Sequence, residues 1–318
     1  MSRPPTLETV AERAGVSRAT VSRVVNGDDR VADALRVAVE DAISELGFVP
    51  NHAARSLAMR RTGVVALIVG DTDPWPMAGE TRDAAAAADL QLLVLLAGDA
   101  AANARVAAYA RHHVDGVLLL ADDDELVRQL AEWRVPVVVG GRVQPTFAGV
   151  ATVDVDNVGG GRLAAQRLLD RGRRRLGIVA EPVESAAAAD REAGFRQAAD
   201  VEQVVRGDGT TASGERAMRA LLETAPGIEG VFVAGDQMAL GALHVLAEAG
   251  RRVPDDVAVV GFDDLDLAAY STPPLTTIRV PWAAQASQMV GVLVDRIAGR
   301  DTPASVVLDV ELVERESA

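Results

Sequence analysis

Hydrophobic positions recur with two different periods along the chain, and the change between them falls near residue 62. Before it, apolar residues keep helical spacing. Leu7, Val10, Ala11 and Ala14 mark a short helix that Thr6 can cap and that must end at Gly15, a residue free to take positive φ. Val21, Val24 and Val25 stripe a second helix begun after Ser17, whose hydroxyl can accept an orphan N–H of the first turn. On its other side Arg18 stacks above Ser22, and Ala19 above Arg23. Asn26-Gly27 reads as a turn. Leu35, Ala38, Val39, Ala42 and Leu46 predict the buried stripe of a third helix over 31–46, stopped by Gly47. Phe48-Val49-Pro50 reads as extended, because the residue before proline avoids the helical region. Residues 51–58 offer a capped helix of barely two turns, too short to be stable unaided. It reads as a conditional element, ordered only when something else holds it.

From Val64 the period changes to short, continuous apolar runs separated by Ala-rich helical stretches. Strands are predicted over 64–70, 90–96, 115–120 and 136–140, with helices over 81–88, 100–111 and 124–134. The pattern then repeats, with strands over 176–180, 204–206, 231–235 and 257–262 and helices over 161–171, 190–199, 214–224 and 237–249. Such alternation predicts parallel sheets covered on both faces, in two doubly wound α/β lobes. A ligand belongs at the carboxyl ends of the strands, in the cleft between lobes.

Charge sharpens this division. The formal net charge of the 318 residues is −14, and every basic residue is arginine. Residues 1–62 hold nine arginines against eight carboxylates, for +1; the remainder holds 23 against 38, for −15. An acidic body repels DNA, so any phosphate contact must come from the N-terminal segment. Two short helices joined by a Gly turn, the second with a basic outer face, describe a helix-turn-helix whose second helix enters a major groove. The competing reading is an ordinary helical hairpin with solvated arginines.

Enzyme and metal readings find little support. There is no cysteine, hence no disulfide framework or thiolate nucleophile. Gly159-Gly160-Gly161 lacks dinucleotide spacing and any lysine, so helix-entry packing is expected. His52, His112, His113 and His244 show no metal spacing, and Asp122-Asp123-Asp124 reads as a loop and N-cap. No cofactor is expected. Residues 1–20 carry no charged segment followed by an apolar one, and no apolar run has membrane-spanning length, so a cytoplasmic protein is expected.

The order of these parts resembles the LacI/GalR family of bacterial transcriptional regulators over nearly the whole chain. The matching stretches are residues 6–26, Ala54-Arg55-Ser56-Leu57, Val114-Asp115-Gly116-Val117, Val155-Asp156-Asn157 with Gly159-Gly160, Asp236-Gln237-Met238-Ala239-Leu240-Gly241, Val259-Val260-Gly261-Phe262-Asp263-Asp264 and Pro274-Leu275-Thr276-Thr277-Ile278. The resemblance implies a helix-turn-helix domain over 1–49, a hinge helix and linker over 50–62, and a periplasmic-binding-protein-like body over 63–318. Lobe 1 is expected over 63–157 plus 279–300, and lobe 2 over 158–278 plus 301–318. It implies no enzyme but a homodimer that binds a pseudo-palindromic DNA operator, with repression as the usual outcome and a small-molecule effector, a sugar or derivative, changing DNA affinity. A periplasmic solute-binding protein shares the two-lobed body, but it would need an export signal and would have no use for residues 1–62.

By the same resemblance Arg18, Ala19 and Arg23 read bases. Each arginine can fork onto guanine, and Ala19 can offer a methyl contact. Thr6, Ser17, Thr20, Ser22 and Asn26 suit phosphates, which set register. Asn51, Arg55, Leu57 and Ala58 belong to the hinge, with Leu57 as a minor-groove wedge. The effector set is Asp71, Asp73, Trp75, Arg191, Asp236 and Asp263. Arg191 is matched to the family's grip on an effector oxygen and Asp263 to its hydroxyl acceptor; Trp75, beside two prolines, either stacks on a sugar or base or packs at the surface. The chain departs from the family in three places. Gly235 stands where a polar ligand-binding residue is common, Gly209 where an aromatic wall is common, and the segment between Phe195 and Val204 is short. These departures leave open a bulkier effector, a different binding mode, or a phosphorylated or protein co-regulator.

Overall fold

The structure, a computed structural model, describes residues 5–25, 28, 30–48, 61–70, 75–120, 123–143, 147, 149–182 and 185–318, with Trp75 described by its backbone alone. The expectations for Asn26, Asn51, Arg55, Leu57, Ala58, Asp71, Asp73 and the Trp75 side chain lie outside the described residues. The chain divides into two compact units, Met1–Thr62 and Gly63–Ala318.

In the first unit α1 (Leu7–Ala14), α2 (Arg18–Val25) and α3 (Asp33–Leu46) enclose Val10, Ala11, Val21, Val24, Val31, Val39, Ala42 and Phe48. Thr6 caps α1 reciprocally with Thr9. The Thr6 N–H donates to Thr9 Oγ1 at 2.7 Å, and the Thr9 N–H to Thr6 Oγ1 at 3.4 Å. Gly15 ends the helix at φ +66°, a conformation that would strain any residue with a Cβ. Ser17 accepts the Thr20 N–H at 3.1 Å and so opens α2. One expectation fails here: Leu35 is 43% exposed and Ala38 only half-buried, so Val39 and Ala42, flanked by Ile43 and Leu46, carry the contact of α3. The reason is length. Eight-residue helices span ~12 Å at 1.5 Å per residue, whereas the 14 residues of α3 span ~21 Å and outrun their cover.

The second unit carries two six-stranded sheets. In chain order its first lobe begins with β1 (Val64–Val69), α4 (Trp75–Ala87), β2 (Gln91–Leu96), α5 (Ala100–His113), β3 (Gly116–Leu120), α6 (Asp124–Glu132), β4 (Val137–Gly140) and β5 (Val150–Val155). The second lobe follows with α7 (Asn157–Asp170), β6 (Leu176–Ala180), α8 (Ala186–Ala198), β7 (Gln203–Arg206), α9 (Thr211–Thr224), β8 (Gly230–Val233), α10 (Asp236–Glu248), β9 (Ala258–Asp263), α11 (Asp266–Tyr270) and β10 (Thr276–Arg279). The chain then returns through α12 (Trp282–Ile297) and β11 (Ser305–Leu308) and ends with β12 (Glu311–Val313). Strand orders are β11-β5-β4-β3-β1-β2 and β12-β10-β9-β8-β6-β7; every pairing is parallel except β12 on β10.

The expected assignment of 301–318 to lobe 2 holds only in part. Residues 305–308 pair with β5 in the first lobe, where Val306 and Leu308 pack on its core, and the chain crosses at Asp309-Val310 before β12 joins the second lobe. Read linearly, Ser305–Val313 is a Val/Leu-rich stretch broken only by Asp309 and Glu311, and sheet pairing assigns its two halves to different lobes. Strands β5, β10, β11 and β12 and helix α12 had no counterpart in the expected pattern. Among the described residues no helix is long and apolar enough to cross a membrane.

In each sheet the order reverses once, between β1 and β3 in the first and between β6 and β8 in the second. The loops leaving the carboxyl ends of strands at such a reversal diverge to opposite faces and open a crevice. Glu181 follows β6 and Gly235 follows β8, so both line the crevice of the second lobe.

Candidate functional site

In the first unit, burying Val21 and Val24 turns the opposite face of α2 outward. Ser17, Arg18, Ala19 and Arg23 are exposed, while Thr6, Thr20 and Ser22 are half-buried. The Ser17 and Thr20 hydroxyls lie 2.9 Å apart. Arg18 Nε lies 2.8 Å from the carboxylate of Glu8 on α1, a partner the sequence reading did not pick out. This face offers two guanidinium forks and three small hydroxyl groups around the entry of one short helix, the equipment for guanine edges and phosphates.

In the second unit the site centres on Arg191, which is 8% exposed. Its position depends on the close approach of α7 and α8. A Cβ on Gly161 would overlap the Arg191 carbonyl oxygen, and one on Gly194 would overlap that of Val158. The glycine run 159–161 therefore serves packing. Arg191 Nε donates to Asn157 Oδ1 at 2.9 Å and Nη1 to the Ala234 carbonyl at 2.6 Å. The guanidinium carbon lies 3.9 Å above the Phe262 ring, which joins the buried aromatic set Phe232 and Phe195. Two carboxylates face it without reaching hydrogen-bond distance: Asp263 Oδ1 is 3.7 Å from Nη2, and Glu181 Oε2 is 3.8 Å from Nη1.

Asp263 closes β9 with φ +109°, and Asp264 follows at φ +56°. Two consecutive aspartates in the left-handed region cost free energy, which their surroundings must offset. The supports are visible. The Trp282 indole donates to the Asp263 carbonyl at 3.1 Å, and Arg279 and Arg315 clamp the Asp264 carboxylate at 2.7 and 2.6 Å. Asp236 accepts the Thr277 hydroxyl at 2.6 Å and the Leu265 N–H at 2.9 Å. With 1% exposure Asp236 is enclosed, and through these two hydrogen bonds it braces the 263–265 turn. Sequence reading missed Asn157, Glu181, Thr277 and Trp282 as parts of this site. Glu181 carried a signal, an acid placed directly after the apolar run 176–180, and Asn157 and Thr277 lie in family-matching stretches but were given no part in the site.

Burial pushes Asp263 up to about 8, against the pull of Arg191, while Asp236 and Glu181 add to the rise. Burial likewise pushes Asp236 up to about 7, against the hydrogen bonds from Thr277 and Leu265. An unfolded aspartate loses its proton near pH ~4, so between there and pH 8 the folded chain binds more protons than the unfolded one. The stability this confers is complete below pH ~4 and is lost as the pH rises through 7 and 8. Surface carboxylates such as Asp256, held at about 2 by Arg252, act below that window and with opposite sign. The expected result is a ligand-free melting temperature that falls from pH 5 to pH 8.5, with Asp263→Asn flattening the fall. A wild-type melting temperature level across that range would contradict this account of the site.

Among the described residues no cluster of side chains could hold a metal ion.

Comparison with known proteins agrees with the fold. Residues 6–51 match the family of bacterial regulatory proteins, lacI family, and residues 165–318 match the periplasmic binding protein-like domain. The transcriptional regulator CelR of Thermobifida fusca is 45% identical, over 99% of this chain and 98% of its own length. The transcriptional repressor PurR of Escherichia coli is 34% identical over 98% and 96%. Among solved structures, a CelR–cellobiose complex is 42% identical, with TM-score 0.77 over 99% of this chain and all of that one. A lac repressor dimer bound to operator and the anti-inducer ONPF is 28% identical, with TM-score 0.87 over 99% of both. The solute-binding alternative is thereby set aside, and so is an enzymatic one. A small helical N-terminal domain, a two-lobed α/β body and full-length likeness to known regulators lead to one conclusion: this chain belongs to the LacI family of DNA-binding transcriptional regulators.

Proposed function

We propose that this regulator is a cytoplasmic homodimer that represses transcription at a twofold-symmetric operator, and that an uncharged sugar in the crevice changes its operator affinity. The observation that carries the effector class is the set of groups around Arg191, where one guanidinium faces two carboxyl groups. Burial keeps the Asp263 proton up to about pH 8, so near neutral pH Glu181 already offsets the guanidinium and an anionic ligand finds no net positive charge there. A sugar brings hydroxyl groups that donate to carboxylates and accept from a guanidinium at once. The same balance disfavours sugar phosphates and acidic co-regulators. The CelR structure holds cellobiose, which makes a neutral disaccharide the first size class to test.

On DNA, Arg18, Ala19 and Arg23 read base edges, and Thr6, Ser17, Thr20 and Ser22 hold phosphates; their exposure or half-burial supports this. Asn26, Asn51, Arg55, Leu57 and Ala58 complete the DNA-binding set on sequence grounds, and Asp71, Asp73 and Trp75 complete the crevice on the same grounds. Ligand shifts operator binding only through different affinities for two lobe arrangements. Arg142 of the first lobe, 2.8 Å from Asp190 beside Arg191, is one contact that such a change would alter.

The test combines thermal melting with DNA binding. Glucose and cellobiose are compared with glucose 6-phosphate, and a ligand at one hundred times its Kd stabilises the folded state by about 2.7 kcal/mol. A neutral sugar is expected to raise the melting temperature and to change affinity for a palindromic DNA by tenfold or more, while the phosphate does neither. Stabilisation by the phosphate alone would overturn the effector class. Failure to prefer any palindrome over random DNA would overturn the operator reading.

A further inference from the structure

We propose that Glu181 is a specificity-determining residue of the crevice: its carboxylate, with the space left open by Gly235 and Gly209, forms a second sugar subsite beyond the one at Arg191 and Asp263. The assignment rests on the neutral-sugar reading above.

Glu181 stands at the carboxyl end of β6 and Gly235 at that of β8, the strand pair at which the second sheet reverses. Its backbone is held in place, since the Glu181 carbonyl accepts Arg206 Nη1 at 2.9 Å. Its side chain is 22% exposed, yet among the described residues the carboxylate accepts no hydrogen bond, and the Arg191 cation is 3.8 Å away. Arg191 is in a matching state. Its Nε and Nη1 are engaged, but Nη2 meets its nearest charged neighbour, Asp263, only at 3.7 Å. A mostly buried carboxylate and a buried guanidinium thus both retain hydrogen-bonding capacity toward the same space.

The glycines define the size of that space. A Cβ on Gly235 would stand 3.6 Å from both Glu181 Oε1 and Asp263 Oδ2, midway between the two carboxylates, with nothing nearer. A Cβ on Gly209 would meet only Glu181 Oε1, at 4.0 Å. Any side chain longer than a methyl group at 235 would project among these carboxylates. Gly209, at φ +88°, holds a backbone conformation that L side chains rarely adopt. Both gaps therefore open onto one carboxylate oxygen with free lone pairs. The chemistry it recognises is a hydroxyl donor on an uncharged ring, because a carboxylate oxygen accepts from hydroxyl groups and repels anions.

The test uses the full-length protein and the variants Glu181→Gln, Glu181→Ala and Gly235→Asn, titrated calorimetrically with glucose and cellobiose. Gly235 is the N-cap of α10 and sits at φ −162°, so asparagine, a favoured N-cap residue, fits the backbone while filling the gap. Unliganded melting temperature and operator affinity establish that each variant folds. Wild type is expected to bind cellobiose more tightly than glucose. Glu181→Ala and Gly235→Asn should each weaken cellobiose tenfold or more, with glucose within about twofold, and Glu181→Gln should fall between. Variants that bind cellobiose like wild type, or that lose both sugars by the same factor, would overturn the subsite. Wild type that binds neither sugar would overturn the neutral-sugar reading itself, and the subsite with it.

Discussion

Replacing Arg191 by alanine is expected to leave a folded protein whose operator binding no longer responds to sugar. The residue is 8% exposed and its side chain serves Asn157 Oδ1 and the Ala234 carbonyl, with Asp263 and Glu181 facing it. Truncation strands both acceptors, leaves Glu181 without a countercharge and removes the cation that faces Asp263. Removing one partner of a buried pair costs about 3–5 kcal/mol; the separations of 3.7 and 3.8 Å and the open crevice place this case at the low end. Sugar affinity is expected to fall more than a hundredfold, because the cation that accompanies the two carboxylates is gone. Arg191→Lys keeps the charge but not the fork that reaches Asn157 and Ala234 together, so it should recover stability better than binding. Calorimetric titration and thermal melting measure the two effects separately. Wild-type sugar response in Arg191→Ala would remove Arg191 from the effector site.

On the DNA side, Arg18→Ala and Arg23→Ala are each expected to cost about 1–3 kcal/mol per half-site, the discrimination of one good arginine–guanine pair. In a twofold-symmetric complex each substitution acts twice. The loss should be confined to one base-pair position per half-site, and selection from a randomised operator library would then become indifferent there. Ser17→Ala should behave differently. It weakens all sequences alike and lowers stability, because Ser17 also accepts the Thr20 N–H that opens α2. Glu8 provides a control, since it pairs with Arg18 at 2.8 Å, and Glu8→Ala both frees the guanidinium and removes a negative charge. Affinity should rise in that variant and its salt dependence steepen. Uniform weakening across all operator positions in Arg18→Ala and Arg23→Ala would reduce both residues to phosphate contacts.

How much of the site is legible in sequence follows from the range of the interactions that build it. Thr6, Ser17 and Gly15 act on residues within three or four positions, so their caps follow from local spacing alone. The α2 faces are equally local. The apolar runs of β1, β3, β6 and β9 are legible because strands buried on both faces need no alternation. Strand β5 was not: its partial alternation, with Thr152 and Asp154 half-buried, lacks a continuous apolar core. The stripe of α3 misled for a related reason, since periodicity marks a face but not how far a neighbour extends along it.

Sequence by itself determined the short helices with an arginine-bearing outer face and the acidic two-lobed body, which rest on residue type, period and charge, properties of short segments. The placing of Arg191 and Asp263 in one crevice rested on the family resemblance. Tertiary structure alone decided that Asp236 is enclosed and braces the 263–265 turn, that Glu181 and two glycines share one space, and that the terminal run divides between the lobes at Asp309. Each of these depends on segments tens to hundreds of positions apart meeting at a sheet reversal or a lobe crossing, and the linear pattern carries no trace of that meeting.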